Sequence, residues 1–483
     1  MAEKPVRVRI APSPTGYLHV GTARTAIHNF LFARHNSGKF LIRIEDTDVE
    51  RNNASLIEPI LNALKWLGLN WDEAVVYQSK RSEIHKTWGN KLLETSYGYP
   101  CFCTQQELEA ERNLAMAEKR APKYSRKCLK LSSDEVKARI DRGEKYVIRL
   151  RIPDGETVYH DIVSGDIHRK NEDIEDFVAV RSDGSPTYNF AVVIDDHDMG
   201  ISHVIRGNDH ISNTFKQIHL YRAFGWEIPE FGHLPLILRP DKQKVSKRLG
   251  DKDVAAYQNE GILPEAMFNY LCMLGWNPKT EREIYSEQEL IELFTPAYFN
   301  PSNAVFDEEK LVAFNKEQIA RKSDHDLAVL VAPLLVESGL TTKYWLETRW
   351  EYLREVIHLL KERVRRLSDF VTLGGYFFYF DYKYDQQAEM QHMDPEAADL
   401  LEELANRFAA LREFNHQDLE GALAGLADEK GIKKARLIHP TRLAVSGMPV
   451  GPGLYDLLAT LGQPIVIERL KKAVDYIRGK GQH

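Results

Sequence analysis

Arg9-Ile10-Ala11-Pro12-Ser13-Pro14-Thr15-Gly16, with His19-Val20-Gly21-Thr22 shortly after it, is the stretch that decides the fold. Residues 6–10 alternate apolar and charged side chains with a period of two, which predicts a strand. The prolines and the glycine that follow predict a turn, and the apolar spacing from Thr22 to about Arg34 predicts a helix. A strand, a turn and a helix in this order begin a parallel α/β sheet.

A second strand–helix unit follows the first. Phe40-Leu41-Ile42-Arg43-Ile44 predicts a strand, and the apolar spacing of residues 57–67 predicts a helix. Strands that alternate with helices indicate a parallel sheet with right-handed crossovers. Such sheets bind ligands at the carboxyl ends of their strands, so the sequence predicts a site at residues 9–13 and 45–48.

Residues 82–186 interrupt this pattern. They contain three of the four cysteines, short strand patterns and a basic segment at 112–130 that predicts a helix. We therefore predict an insertion into the sheet domain. The sheet is expected to resume at Tyr188, with further strands at residues 202–206 and 234–238.

Strand patterns fade beyond about Asn315, where amphipathic helical spacing takes over. The clearest helical patterns lie at residues 328–335, 351–367, 397–408 and 465–477. The predicted fold is thus an α/β domain with an α+β insertion, followed by an all-α C-terminal half.

Composition limits the classes of function. The chain has 483 residues, of which 43% are hydrophobic and 28% charged, as in multi-domain globular proteins. Its net charge of −7 excludes a generally basic nucleic-acid coat, although local basic patches remain available. Four cysteines in so long a chain fit a reducing cytosol. The N-terminus has no apolar signal core, and the longest nearly uncharged run, residues 327–336, is too short for a bilayer. We expect a cytoplasmic protein without a membrane span.

His19-Val20-Gly21-Thr22 stands where the first turn gives way to a helix. A histidine at this place is able to donate a hydrogen bond to a phosphate, and a glycine lets a nucleoside approach the backbone. The helix N-terminus adds free N–H groups and a partial positive charge. These features suit His19, Gly21 and Thr22 to binding a nucleotide such as ATP, and His19 to a catalytic role. Four residues alone favour the alternative, an exposed loop histidine beside a turn glycine, because such strings recur by chance.

Lys244-Val245-Ser246-Lys247-Arg248 lies in a polar loop after an apolar strand pattern. Two lysines around a serine are suited to stabilising the charge of a departing pyrophosphate, which predicts ATP-binding and catalytic roles for Lys244, Ser246 and Lys247. The alternative is that residues 244–248 are a solvent-exposed run of charged side chains with no ligand. The sequence has neither a Walker loop nor a glycine-rich dinucleotide motif, which disfavours competing nucleotide folds.

The two strings, in this order, resemble the HIGH and KMSKS signatures of class I aminoacyl-tRNA synthetases. Other stretches are similar to the glutamate members of that class. They are residues 9–16, Arg43-Ile44-Glu45-Asp46-Thr47-Asp48, Pro186-Thr187-Tyr188-Asn189, Ile205-Arg206-Gly207 with Asp209-His210, His439-Pro440 and Gly451-Pro452-Gly453-Leu454. On these motifs, which run from Arg9 to about Leu461, the chain resembles the bacterial-type glutamyl-tRNA synthetases.

The resemblance implies a domain organisation. A Rossmann-type catalytic domain is expected at residues 1–81 and 187–240, and an acceptor-end-binding insertion at 82–186. A KMSKS-loop and stem-contact domain is expected at 241–322, and two helical anticodon-binding subdomains at 323–385 and 386–483.

The resemblance also implies the activity of a glutamate–tRNA ligase. Such an enzyme activates L-glutamate with ATP and Mg²⁺ to glutamyl-adenylate and pyrophosphate. The 2′-hydroxyl of the terminal adenosine of tRNA(Glu) then accepts the glutamate. A monomer is implied. A non-discriminating enzyme that also charges tRNA(Gln) is the alternative.

Residue chemistry agrees with glutamate as substrate, because its two carboxylates and one ammonium require cationic partners and an anionic one. The residues expected to line the glutamate pocket are Arg9, Ser13, Glu45, Tyr188 and Arg206. Glu45 is expected to take the ammonium and Tyr188 to bind the side-chain end. Which arginine holds which carboxylate stays open. Taken singly, each residue has a structural alternative. Arg9 also fits the solvent-exposed face of a strand, Glu45 a helix-capping acid and Tyr188 a core residue.

Two clusters raise the question of a metal. Asp195-Asp196-His197-Asp198 predicts a structural role, because adjacent side chains do not converge on one point. Cys101-Phe102-Cys103 and Cys128 resemble the zinc ligands of some family members, but Lys130 occupies the position of their histidine. Tyr124 matches a Tyr-x-x-x-Cys arrangement of shorter glutamyl-Q relatives. Zinc held by Cys101, Cys103, Cys128 and Tyr124 and a set of buried free thiols both stay open.

Basic residues cluster at positions 119–130, 363–366 and 430–436, where phosphate contacts along a tRNA and ordinary solvated helix faces are both consistent with the sequence. The resemblance places Arg363 near the position that reads the last anticodon base, where arginine is associated with glutamate tRNA.

Three other functions compete with the predicted one. A glutamyl-Q synthetase lacks the helical C-terminal half, and a glutaminyl enzyme carries β-barrel anticodon domains instead. A non-catalytic RNA-binding paralogue is expected to lose His19 or Lys247, and this chain keeps both.

Overall fold

The computed structural model describes residues 5–47, 52–120, 122–244 and 252–480. They form two compact units. The first consists of Met1–Tyr257 with Met267–Asp307, and the second of Gln258–Ala266 with Glu308–His483. The domain boundaries expected from the resemblance are finer than this division and stay a prediction.

All the strands that the structure describes belong to the first unit. They are β1 (Arg7–Ile10), β2 (Lys39–Ile44), β3 (Val76–Tyr77), β4 (Gly98–Cys101), β5 (Val147–Leu150), β6 (Glu156–Asp161), β7 (Gly165–Lys170), β8 (Val178–Val180), β9 (His203–Gly207), β10 (Glu230–Leu234), β11 (Ile237–Leu238) and β12 (Ala304–Val305).

The helices alternate with these strands and then continue without them. They are α1 (Val20–His35), α2 (Ile57–Trp66), α3 (Ser82–Glu94), α4 (Gln105–Ala117), α5 (Ser133–Asp141), α6 (Tyr188–Asp198), α7 (Ile211–Phe224), α8 (Val254–Asn259), α9 (Pro264–Met273), α10 (Glu287–Leu293), α11 (Glu308–Arg321), α12 (Asp324–Glu337), α13 (Lys343–Thr348), α14 (Trp350–Leu360), α15 (Asp369–Gly374), α16 (Gln386–His392), α17 (Pro395–Ala409), α18 (His416–Lys430), α19 (Ala435–Ser446), α20 (Leu454–Leu461) and α21 (Gln463–Lys480).

Parallel strands form the centre of the first unit. β1 pairs with β2 and β2 with β3, while β9 pairs with β10 and β10 with β6, all in parallel. Ser202 connects the two groups, because its N–H donates to the Arg7 carbonyl at 3.0 Å just before β9 begins. The carboxyl ends of β1, β2 and β9 therefore share one edge, as the sequence predicted.

Two further features complete the first unit. β4, β5 and β8 form a separate antiparallel sheet, which agrees with the predicted α+β insertion. The antiparallel hairpin of β6 and β7 joins the central sheet through β10, so the expectation that this sheet resumes only at Tyr188 was wrong. Residues 308–480 of the second unit contain helices and no strand, so the predicted all-α half is confirmed. Nowhere in the described ranges does a helix have the length and apolar character to cross a membrane.

Two predicted elements were wrong in their bounds. The strand expected at residues 234–238 is broken, because β10 ends at Leu234 and β11 pairs with β12 instead. Pro235 at the break has no N–H for a ladder. The helix expected at residues 112–130 ends at Ala117, and Lys119 beyond it has a left-handed φ of 57°.

Candidate functional site

A cavity of about 750 Å³ lies at the carboxyl edge of the parallel strands. Every described residue that was predicted to bind ATP or glutamate lines it. These residues are Arg9, Ser13, His19, Gly21, Thr22, Glu45, Tyr188, Arg206 and Lys244. Ser246 and Lys247 lie outside the described residues, as does Asp48.

His19 is the N-cap residue of α1. Its Nδ1 accepts a hydrogen bond from the Gly21 N–H at 3.0 Å. Because Nδ1 is the acceptor, a neutral ring carries its proton on Nε2, which makes Nε2 a donor. A Cβ on residue 21 would lie 3.2 Å from this Nδ1, so glycine allows the ring its position without a shift. The first turn of α1 thus fixes a donor at the positive end of the helix.

Arg9 lies in a buried network of charges. It donates from Nε and Nη2 to the two carboxylate oxygens of Asp196, at 3.0 and 3.2 Å. Arg43 donates to the same carboxylate at 2.6 Å and to Glu45 at 3.1 Å. Burial alone would raise the pKa of Asp196, but the charges of Arg43 and Arg9 lower it to about 2. The Arg9 charge is therefore already balanced inside the protein.

Arg206 has different surroundings. Its Nη2 donates to Thr214 Oγ1 and Gln217 Oε1, both at 2.7 Å, and its Nε donates to His233 Nε2 at 3.3 Å. Burial lowers the pKa of the His233 imidazole, which keeps this acceptor neutral. Its Nη1 is buried and has no hydrogen-bond partner within the described residues. Arg206 is thus a buried cation held by neutral acceptors, and an anion is the group that would complete it.

Tyr188 and Lys244 complete the wall of the cavity. The Tyr188 hydroxyl lies 3.1 Å from His210 Nδ1, and burial lowers the pKa of that imidazole to about 4. Lys244 donates from Nζ to Asp209 Oδ2 at 3.0 Å, and both side chains are about half exposed. Because an exposed ion pair is weak, a phosphate is able to take Lys244 from Asp209.

The predicted structural role of the Asp195–Asp198 cluster agrees with its contacts. Asp195 accepts from Gln78 and His85 at 2.8 Å and from Arg81 at 2.7 Å. Its neighbour Asp196 binds two arginines from different strands. These carboxylates orient cationic side chains and do not converge on one point.

Three cysteine sulfurs converge in the first unit. The Sγ atoms of Cys101, Cys103 and Cys128 lie within 4.8 Å of one another. The Tyr124 hydroxyl is 3.3 Å from Cys101 Sγ and 3.5 Å from Cys103 Sγ. Lys130 is exposed and does not belong to this group. The four candidate ligands therefore come together although they are spread over 28 positions of the chain, from 101 to 128.

Arg363 lies in the second unit, in the exposed turn after α14. Its charge adds to the burial that lowers the pKa of Arg442. The Arg442 Nη1 and the Tyr376 hydroxyl are buried, and neither has a hydrogen-bond partner in the part of the chain that the structure describes. A Cβ on Gly451 would lie 3.1 Å from that Nη1. The Gly451-Pro452-Gly453 motif thus packs against two buried polar groups.

Several residues around the cavity escaped the sequence analysis. Thr214, Gln217 and His233 hold Arg206, and Arg43 links Asp196 to Glu45. Only Arg43 could have been found from the sequence, because a charged residue that interrupts the apolar run of β2 indicates a buried ion pair.

Comparison with known proteins agrees with this geometry. Residues 5–313 match the family model of the catalytic domain of class I tRNA synthetases for glutamate and glutamine, and residues 326–474 match an anticodon binding domain. Similar proteins include a glutamate–tRNA ligase of Koribacter versatilis, 44% identical over 97% of this chain and 98% of its own length. Another, from Moorella thermoacetica, is 43% identical over 98% of this chain and 99% of its own.

A solved structure is similar over the same extent. The crystal structure of a glutamate tRNA ligase from Elizabethkingia meningosepticum, in complex with its amino acid, superposes with a TM-score of 0.89 at 34% identity. It covers 98% of this chain and 100% of its own. The resemblance found in the sequence is confirmed, and this chain belongs to the class I tRNA synthetases for glutamate and glutamine.

Proposed function

We propose that this chain is a glutamate–tRNA ligase, which activates L-glutamate with ATP and transfers it to the 3′-terminal adenosine of tRNA(Glu). One observation carries the proposal: the buried, unbalanced guanidinium of Arg206 lies on the wall of the same cavity as His19 and Lys244. A site for a carboxylate and a site for a triphosphate thus share one cavity, as the joining of an amino acid to ATP requires.

Glutamate binding follows from the charges of the wall. Arg206 takes a carboxylate of the substrate, because its own neighbours are neutral acceptors. Glu45 and Asp209 both line the cavity, and because Asp209 binds Lys244, Glu45 takes the ammonium. Tyr188 adds a hydrogen bond from its hydroxyl, and Arg9 lines the same wall with its charge paired to Asp196.

In the first step an oxygen of the glutamate α-carboxylate attacks the α-phosphorus of ATP, and the bond to the pyrophosphate breaks. His19 Nε2 donates to a phosphate oxygen, and Lys244 leaves Asp209 to stabilise the charge that grows on the pyrophosphate. ATP arrives with Mg²⁺, which offsets part of its charge. Ser246 and Lys247 are assigned to the same phosphates by their motif. The rate of this step is raised mainly by the positioning of the reactants and by electrostatic stabilisation of the phosphate charge.

In the second step the 2′-hydroxyl of the tRNA attacks the mixed anhydride and AMP leaves. The insertion of residues 82–186 is proposed to hold the acceptor end and residues 241–322 the stem. The helical subdomains 323–385 and 386–483 are proposed to bind the anticodon. The exposed Arg363, together with the resemblance that places it near the anticodon, supports that last assignment.

We also propose that the enzyme is a monomer in the cytoplasm. None of the four cysteines, all of which lie in the described ranges, forms a disulfide, which fits a reducing cytoplasm. The resemblance to bacterial-type glutamyl-tRNA synthetases supports a monomer.

Charging of purified tRNAs tests the function. With radiolabelled glutamate and ATP, we expect this protein to charge tRNA(Glu) and to leave tRNA(Gln) uncharged. Incubation without ATP is the control. Equal charging of both tRNAs would establish a non-discriminating enzyme, and no charging of either would refute the proposal.

We also propose that the cysteine cluster holds one structural Zn²⁺, bound by Cys101, Cys103, Cys128 and Tyr124. The donors fit the metal, because four tetrahedral ligands at Zn–S distances of about 2.3 Å have sulfurs roughly 3.8 Å apart. Such a site would cross-link the end of β4, at Cys101, to the turn that contains Cys128.

Elemental analysis of tag-free protein tests this site. We expect about one zinc per chain, and loss of the metal together with a lower melting temperature in Cys128→Ser, since three ligands hold zinc less tightly than four. Cys272→Ser is the matched control, because Cys272 is buried apart from the cluster. Wild-type protein without stoichiometric zinc would contradict the proposal and leave the interpretation as buried thiols.

A further inference from the structure

Behind Arg206, on the side away from the cavity, lies a second buried pair. His233 Nδ1 is 2.6 Å from Asp161 Oδ2, and both side chains are fully buried. Asp161 is the last residue of β6 and His233 lies in β10. Neither residue lines the cavity, so neither touches a substrate bound there.

The two oxygens of Asp161 have different partners. Oδ1 accepts the N–H groups of Val163 and Ser164 at 3.0 Å and that of His233 at 3.3 Å. These backbone donors cannot act as acceptors, so an oxygen is required at this place. Oδ2 is therefore the atom that faces the imidazole, and as a carboxylate oxygen it accepts.

The proton on His233 is fixed by this arrangement. Because Oδ2 accepts, Nδ1 carries the hydrogen of the neutral ring and Nε2 keeps its lone pair. That lone pair faces Arg206 Nε at 3.3 Å and Thr214 Oγ1 at 2.9 Å. In the other tautomer, an N–H on Nε2 would face the N–H of Arg206, and the guanidinium would keep only the bonds of Nη2 to Thr214 and Gln217.

We propose that Asp161 and His233 are positioning residues for glutamate binding: Asp161 selects the tautomer of His233, and His233 holds Arg206 with Nη1 toward the substrate carboxylate. The arrangement orients the guanidinium through a neutral acceptor and leaves its charge for the substrate. The inference rests on the proposed function, because it assigns Arg206 a carboxylate of glutamate.

Asp161→Asn is the decisive variant. The three N–H donors require the amide oxygen at the place of Oδ1, so the new NH₂ group takes the place of Oδ2 and donates to His233 Nδ1. The ring must then carry its proton on Nε2, opposite Arg206. Replacing an aspartate by asparagine behind a histidine is known to impose the wrong tautomer in this way. We expect the KM for glutamate to rise about 10- to 100-fold, as for a lost hydrogen bond to a charged group, while the KM for ATP stays unchanged.

Two substitutions of His233 separate positioning from packing. Gln in place of His233 is able to put its Oε1 where Nε2 was and to accept from Arg206, whereas Asn is too short. His233→Gln is therefore expected to keep the KM for glutamate within about threefold of wild type, and His233→Asn to raise it as Asp161→Asn does. His219→Asn is the matched control, because His219 is a fully buried histidine that binds Thr157 and does not touch Arg206.

The readout is steady-state charging of tRNA(Glu), with glutamate and ATP varied separately and the melting temperature of each variant recorded. The inference is overturned if Asp161→Asn and His233→Asn change both KM values alike, or if they behave as His219→Asn does. It is also overturned if His233→Gln is as impaired as His233→Asn. A wild-type protein that charges no glutamate would instead refute the proposed function.

Discussion

Arg206→Gln is expected to lower kcat/KM for glutamate by about 10²- to 10³-fold, mainly through KM. Breaking a buried ion pair by removing one partner costs roughly 3–5 kcal/mol, because the other charge is left without compensation. Here the uncompensated charge would be the carboxylate of the substrate. Steady-state charging of tRNA(Glu) at varied glutamate concentrations measures the effect.

A second buried arginine provides the control for this substitution. Arg469 in the helical unit donates from Nη1 to the Val445 carbonyl and from Nη2 to the carbonyls of Tyr376 and Tyr379, and it is 2% exposed. Arg469→Gln is expected to lower the melting temperature while the KM for glutamate remains that of wild type. If Arg206→Gln left that KM within threefold of wild type, Arg206 would not be a glutamate ligand.

His19→Asn is expected to lower the rate of glutamyl-adenylate formation by about 10²-fold or more, with little change in melting temperature. The reason is that the imidazole has two functions on its two nitrogens. Asn is a preferred N-cap residue, so its Oδ1 is able to accept from the Gly21 N–H in place of Nδ1. It has no atom in the place of Nε2, so the donor to the phosphate is lost. Pyrophosphate release in the presence of tRNA(Glu) measures the rate.

The matched control is a histidine of the same helix. His28 is buried, its Nε2 lies 2.9 Å from the Cys272 carbonyl, and it does not line the cavity. His28→Asn is expected to lower the melting temperature and to leave the rate of adenylate formation unchanged. A normal rate in His19→Asn would show that the imidazole does not act on the phosphates.

The cavity was predictable from sequence because of a rule of topology. Arg9, Glu45 and Arg206 lie at or just after the ends of β1, β2 and β9, and parallel strands bring their carboxyl ends to one edge. The residues that hold these groups were not predictable. Asp161 and His233 are 72 positions apart and meet through the pairing of β6 with β10, which no local periodicity reports.

The wrong bounds have a similar cause. Helical spacing at residues 112–130 describes which side chains are apolar, and it does not show that the backbone turns left-handed at Lys119 and Arg126. The apolar run at residues 234–238 looked continuous because hydrophobicity alone does not register the missing N–H of Pro235.

The charges around Asp196 have a consequence for the choice of amino acid. Arg9 and Arg43 face the carboxylates of Asp195, Asp196 and Glu45, whereas Arg206 has, among the described residues, hydrogen bonds to neutral groups only. Glutamate carries two carboxylates and glutamine carries one, so glutamine offers this wall one negative charge fewer. Rejection of the amide is thus expected from the unequal pairing of the arginines, beyond any one contact.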